Sequence, residues 1–273
     1  MSEYNPQGMQ MFPPGVKNLL IINVLMFLAA YVVKRSMGVD LDDYLALHAV
    51  QSSLFRPWQY ITYMFMHGGF DHILFNMFAL WMFGYVLENF WGTTRFVIFY
   101  MVCGLGAGIV HSLVTGIDVH MAQQAVNNYA VGPNPDAMMA LLDSRFSRMY
   151  NPTAVADFLS EWRSNGVDSE YGMLSVQLMQ QLVDFKASIP TVGASGAVYG
   201  ILLAFGMMFP NEQIYLYMVL PIKAKWFVVF YGALELFLGV FHTADGIAHF
   251  AHLGGMLFGL ILILLWRRHN RVY

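Results

Sequence analysis

The sequence predicts an all-α polytopic membrane protein, a six-transmembrane-helix bundle with a polar, helical insert over residues 116–190. Three observations point there. Of 273 residues, 58% are apolar and only 11% are charged, whereas a soluble domain usually carries about 25% charged residues. Twelve of the 31 charged residues lie between Asp118 and Lys186, which leaves the other roughly 200 too poor in charge to cover a water-facing surface. Six segments also approach the ~20 apolar residues that a helix needs to cross the hydrocarbon core.

The first span runs from Asn18 to Val33 and is closed by Lys34 and Arg35. A mixed stretch, Ser36–Gly69, carries Trp58, Tyr60 and Tyr63, the aromatic content expected at an interface. The second span covers His72–Phe90 and the third Phe96–Thr115. Gly116–Pro190 is the polar insert. Within it Asn134-Pro135, Asn151-Pro152 and Ser169-Glu170 each precede a helix-period pattern, so two or three short helices on the membrane surface are expected. The fourth span, Ser195–Phe209, is short and ends at Pro210-Asn211. The fifth is Trp226–Phe241 and the sixth Ile247–Trp266, stopped by Arg267-Arg268. The insert is too interrupted to stand alone, so residues 1–273 are read as a single membrane domain.

Several function classes drop out. Net charge is −3 with no basic tract, so a nucleic-acid partner has no electrostatic footprint. The single cysteine, Cys103, sits in an apolar run and allows no intramolecular disulfide. Met1–Gly15 is polar and carries Glu3, unlike the basic start of a cleaved signal peptide. Lys and Arg in short loops set orientation. Lys17, Arg95, Lys223, Lys225, Arg267, Arg268 and Arg271 share one side, against Lys34, Arg35 and Arg56 on the other. Both termini are therefore expected in the cytoplasm.

Reactive side chains at membrane depth are costly and mark a site by default. His72 and Asn76, at i and i+4, share a face of the second span. Ser195, in Gly193-Ala194-Ser195-Gly196, opens the fourth, with Tyr199 one turn on. His249 and His252 lie in the first half of the sixth. Three helices thus bring polar groups to one depth, at their outward ends. Gly196/Gly200 and Gly255/Gly259 offer small-residue seams that let two membrane helices approach. Serine needs a base to become a nucleophile, and histidine is the usual one. The helix N-terminus at Ser195 favours an oxyanion, and His72 and Asn76 are candidate further donors. No acid partner for His252 is evident. Asp71 and Asp245 read as N-caps, and Glu235 reads as a neutral or hydrogen-bonded group inside the bundle. That leaves a dyad, with Tyr199 packed on the imidazole. His67 reads as a loop histidine bonded to backbone, and His249 as a supporting or water-lining one.

These residues resemble the rhomboid intramembrane serine proteases. The likeness covers residues 17–268 apart from the insert. It rests on His67 with His72–Asn76, on Gly193-Ala194-Ser195-Gly196 with Tyr199, on Ala251-His252-Leu253-Gly254-Gly255 with Gly259, and on Glu88 with Gly92. A lone GxSG is weak, but the ordered set, each motif in its own apolar span, is specific. The resemblance implies that Ser195 is the nucleophile and His252 the general base, that His72 and Asn76 line the oxyanion hole, and that Tyr199 stacks on His252. It implies single-span or multi-span membrane protein substrates in a lipid bilayer, no cofactor, a cavity open to the outside and, for a bacterial-type core, a bacterial inner membrane.

Two features depart from the pattern. Trp58-Gln59 stands where the family often has Trp-Arg, a change expected to touch lipid anchoring. The long insert before Ser195 is unusual for the family and, because it joins the helix of Ser195 directly, is expected to shield or gate the cavity mouth. Rival readings are a rhomboid-like non-catalytic membrane-helix binding protein, which would lack the serine or histidine, and a transporter, which would spread polar groups through the membrane. A metal site of His67, His72, His249 and His252 lacks a carboxylate spaced to complete it.

Overall fold

The computed structural model describes residues 9–166, 170–216, 220–241 and 248–268. Helix α1 (Pro14–Met37) begins with proline in its first turn and ends at Gly38. Its outer face, including Ile21, Leu25 and Leu28, is exposed apolar surface suited to lipid. Two single-turn helices, α2 (Asp42–Leu45) and α3 (Gln59–Thr62), lie in the loop before α4 (Phe70–Trp91). Gln59 is fully buried. Its carboxamide accepts from the His48 N–H at 3.3 Å and donates to the Leu54 carbonyl at 2.9 Å. The residue therefore braces the loop from inside, and the expectation of a lipid-anchoring role is corrected. A long polar side chain that reaches buried backbone groups is held by them.

The third span does not stop at Thr115. Helix α5 runs 37 residues, Thr93–Tyr129, or roughly 55 Å against a hydrocarbon core of ~30 Å. No proline interrupts it. Val119, Ala122, Val126 and Tyr129 form an apolar stripe at helical spacing that is buried against the insert. Three helices follow: α6 (Pro135–Arg145), α7 (Pro152–Asn165) and α8 (Glu170–Ala187). The side chain of Asn134 caps α6 and that of Asn151 caps α7, as the Asn-Pro pairs predict. Ser169 lies outside the described residues. With the stripe on α5, these helices enclose a second apolar core centred on Trp162, Phe146, Met138 and Met179. Gln123 and Gln180 exchange amide hydrogen bonds at 2.9 and 3.0 Å, and Lys186 pairs with Asp118 at 2.8 Å. These contacts fix α8 alongside α5.

Helix α9 (Ser195–Met208) spans only 14 residues. It packs against α4, α5, α10 (Ala224–Phe241) and α11 (His249–Arg268), so its neighbours rather than lipid surround most of it. A hairpin unforeseen in the sequence, β1 (Gln213–Leu216) with β2 (Leu220–Lys223), joins α9 to α10, with Gln213 opposite Lys223. Among the described residues, five helices are long and apolar enough to cross a membrane, and α9 is a shorter apolar one. The chain is an all-α polytopic membrane bundle.

Candidate active site

The site forms where α9, α11, α10 and α4 meet. The segment before Ser195 is pinned. Leu47 and Thr191 exchange backbone hydrogen bonds, both 2.9 Å, and the Gly193 N–H donates to the Tyr63 carbonyl at 2.9 Å. Thr191 Oγ1 also meets His111 Nε2 at 2.7 Å. Gly193 sits at φ 131°, a conformation that L side chains rarely adopt. A Cβ there would lie 2.9 Å from His72 Nε2 and 3.5 Å from Ser195 Oγ. The missing side chain leaves a small hollow bordered by both groups, at the N-terminus of α9.

Helices α9 and α11 approach closely along the glycine seam. A Cβ on Gly255 would fall 1.8 Å from the carbonyl oxygen of Gly196, so any larger residue would push the two helices apart. Ser195 precedes Gly196, and His252 lies one turn before Gly255. The same contact brings His252 Nε2 to 2.8 Å from Ser195 Oγ. The Tyr199 ring stacks on the His252 ring, centroids 4.2 Å apart and planes 6° from parallel.

The absence of an acid partner is corrected by the fifth span. Glu235, buried on α10, places Oε2 3.0 Å from His252 Nδ1 and 2.6 Å from His249 Nδ1. Its Oε1 accepts from the Tyr199 hydroxyl. The His252 contact is short but out of line, and Nδ1 has no formal hydrogen-bond partner. Glu235 is thus hydrogen-bonded inside the bundle, as expected, but beside the imidazole rather than away from it. Sequence reasoning placed this carboxylate in the fifth span without its partners. The one available signal was an acid at membrane depth, which is rarely idle.

The other candidates divide. His72 lies in the first turn of α4, and Asn76, one turn on, is buried. Asp71 does not cap α4. The cap position is Gly69, and Asp71 stands in the first turn, where its charge meets the positive end of the helix dipole. Asp245 lies outside the described residues. His67 packs edge-on against His72, ring centroids 5.2 Å apart, with the Phe65 backbone beside its ring. Burial, and then the neighbouring His72, lowers its pKa to about 4. Among the described residues, the group of metal-type ligands is Glu235, His249 and His252. A carboxylate does reach two of the four histidines weighed for a metal site, because α10 and α11 face each other there.

The fold and this cluster define a polytopic membrane bundle with a part-buried serine–imidazole pair between apolar helices. The Rhomboid domain profile matches residues 55–135 and 171–269, and the chain belongs to the rhomboid family. A rhomboid protein of Schizosaccharomyces pombe, named as mitochondrial, is 27% identical over 255 residues, 86% of this chain and 60% of that protein. Rhomboid protease GlpG of Salmonella choleraesuis is 34% identical over 62 residues, 23% of this chain and 22% of its own. Rhomboid protease GluP of Bacillus subtilis is 28% identical over 93 residues, 33% and 18% of the two chains. Alignment with the first of these relatives thus spans 60% of its length, and with GlpG and GluP much less.

Proposed function

We propose that this chain is an intramembrane serine endopeptidase that hydrolyses peptide bonds in or near transmembrane segments of single-span or multi-span membrane proteins. The observation that carries the reading is the 2.8 Å contact between Ser195 Oγ and His252 Nε2 inside an apolar bundle. Membership of a family whose matched relatives include named rhomboid proteases supports it.

In this reading Ser195 Oγ attacks the scissile carbonyl while its proton passes to His252 Nε2. The carbonyl oxygen becomes an oxyanion in the hollow at Gly193. There the N-terminal N–H groups of α9, His72 and Asn76 stabilise it. The proton then moves from Nε2 to the departing amine nitrogen as the C–N bond breaks. Water, activated by the same imidazole, releases the acyl group. Tyr199 holds the ring plane. No step calls on a cofactor.

We further infer that both termini face the cytoplasm and the site opens outward, in a bacterial inner membrane. The support is the bias of Lys and Arg in the short loops and the bacterial GlpG and GluP relatives. The first relative named above is mitochondrial, so reporter fusions at each loop test the topology separately from the chemistry.

The central experiment uses purified protein in liposomes with a single-span substrate. Cleavage is expected, unaffected by EDTA and blocked by a fluorophosphonate that labels Ser195. Full activity in Ser195→Ala would falsify the mechanism.

A further inference from the structure

We propose that Glu235 is a positioning residue for His252, so that the site works as a Ser–His–Glu triad assembled from three helices rather than as a dyad. The inference rests on the protease reading above and deepens it.

The carboxylate is held on both oxygens. Tyr199 donates to Oε1, and His249 Nδ1 lies 2.6 Å from Oε2. The same Oε2 faces His252 Nδ1 at 3.0 Å. The His249 and His252 rings stand 89° apart, so both Nδ1 edges converge on one oxygen from different directions. A carboxylate placed there selects the His252 tautomer that carries its proton on Nδ1. That choice leaves the Nε2 lone pair free to accept the Ser195 proton. When the proton arrives, the imidazolium charge forms beside a fixed anion. Glu235 itself stays ionised and gives up no proton. The out-of-line contact fits a resting site, where catalytic hydrogen bonds are often poorly aligned and tighten with substrate. Tyr199 performs two tasks in this arrangement, stacking on the imidazole and anchoring the acid that orients it.

The spacing argues against a metal held by the same atoms. Two ligands on a tetrahedral zinc, each 2.0–2.1 Å from it, stand roughly 3.3 Å apart, wider than the 2.6 and 3.0 Å contacts found. Oε1 is also engaged by Tyr199.

The test compares the full-length protein with Glu235→Gln, Glu235→Asp and Glu235→Ala in liposomes, with Ser195→Ala alongside. Glu235→Gln is expected to lower kcat by about 10²–10⁴-fold, the upper end being the scale of losing a triad acid, with KM little changed. Fluorophosphonate labelling of Ser195 should slow in parallel. Glu235→Asp should recover part of the loss, and added formate should restore part of the activity of Glu235→Ala. Glu235→Gln within a few-fold of the native rate, while Ser195→Ala is dead, overturns the triad and leaves the protease reading standing. An active Ser195→Ala overturns the protease reading itself. Loss of activity with a lowered unfolding temperature and no response to formate reduces Glu235 to a structural role and overturns the proposal. So does native activity abolished by chelator and restored by Zn²⁺, which would make the cluster a metal site.

Discussion

Two buried glutamates, Glu88 and Glu235, sit in apolar spans of the same bundle and are held by different kinds of partner. Glu88, near the end of α4, accepts from the N–H groups of Gly15 and Val16, both at 2.7 Å, and from the Thr93 hydroxyl at 2.6 Å. It caps the N-terminus of α1 from another helix, where unpaired N–H groups and the dipole favour an anion. None of those donors changes charge near neutral pH. Glu235 is surrounded by Tyr199, His249 and His252, and one of them faces Ser195. A buried acid is costly at either place unless paired. Backbone donors turn Glu88 into a rivet between helices, while the ring partners of Glu235 set that carboxylate beside the imidazole that faces Ser195.

The comparison can be broken in stages. Ser195→Ala or His252→Ala should abolish cleavage while the unfolding temperature stays near native. A variant that lost folding instead would place these residues with Glu88 on the structural side. His72→Ala or Asn76→Ala is expected to cost about 10²–10³-fold in kcat, or about 2.7–4 kcal/mol, the usual loss for one oxyanion donor. Single-turnover assays separate this from weakened binding. Glu88→Ala should strip on the order of 3 kcal/mol of stability by leaving buried N–H groups without acceptors. The surviving folded molecules should turn over at the native rate. A kcat defect in folded Glu88→Ala would erase the distinction between the two acids. The smallest effect is expected in the insert. Trp162→Ala, at the centre of the second core, should change cleavage of membrane substrates a few-fold and leave fluorophosphonate labelling of Ser195 unchanged. Equal rates with every substrate would end the idea that the insert shields the cavity mouth.

Helix extents and the positions of the reactive residues were legible because hydropathy and small-residue spacing are local properties of a chain. The fourth span was placed at Ser195–Phe209 and the helix occupies Ser195–Met208. Gly196 and Gly255 marked the seam that now joins α9 to α11. Where a reading failed, a partner distant in sequence was at work. Gln59 turned inward to meet His48 and Leu54. The stripe beyond Thr115 stayed helical because the insert gave it a surface to bury.

By itself the sequence determined that the chain must live in a bilayer, how many apolar rods it makes, and which rods carry a hydroxyl, an imidazole or an acid, since low charge and apolar length leave no soluble alternative. Only the tertiary structure decided that Glu235 meets residues 14 and 36 positions away, because which faces of three helices turn toward one another is fixed by packing between them and by no spacing within any one of them.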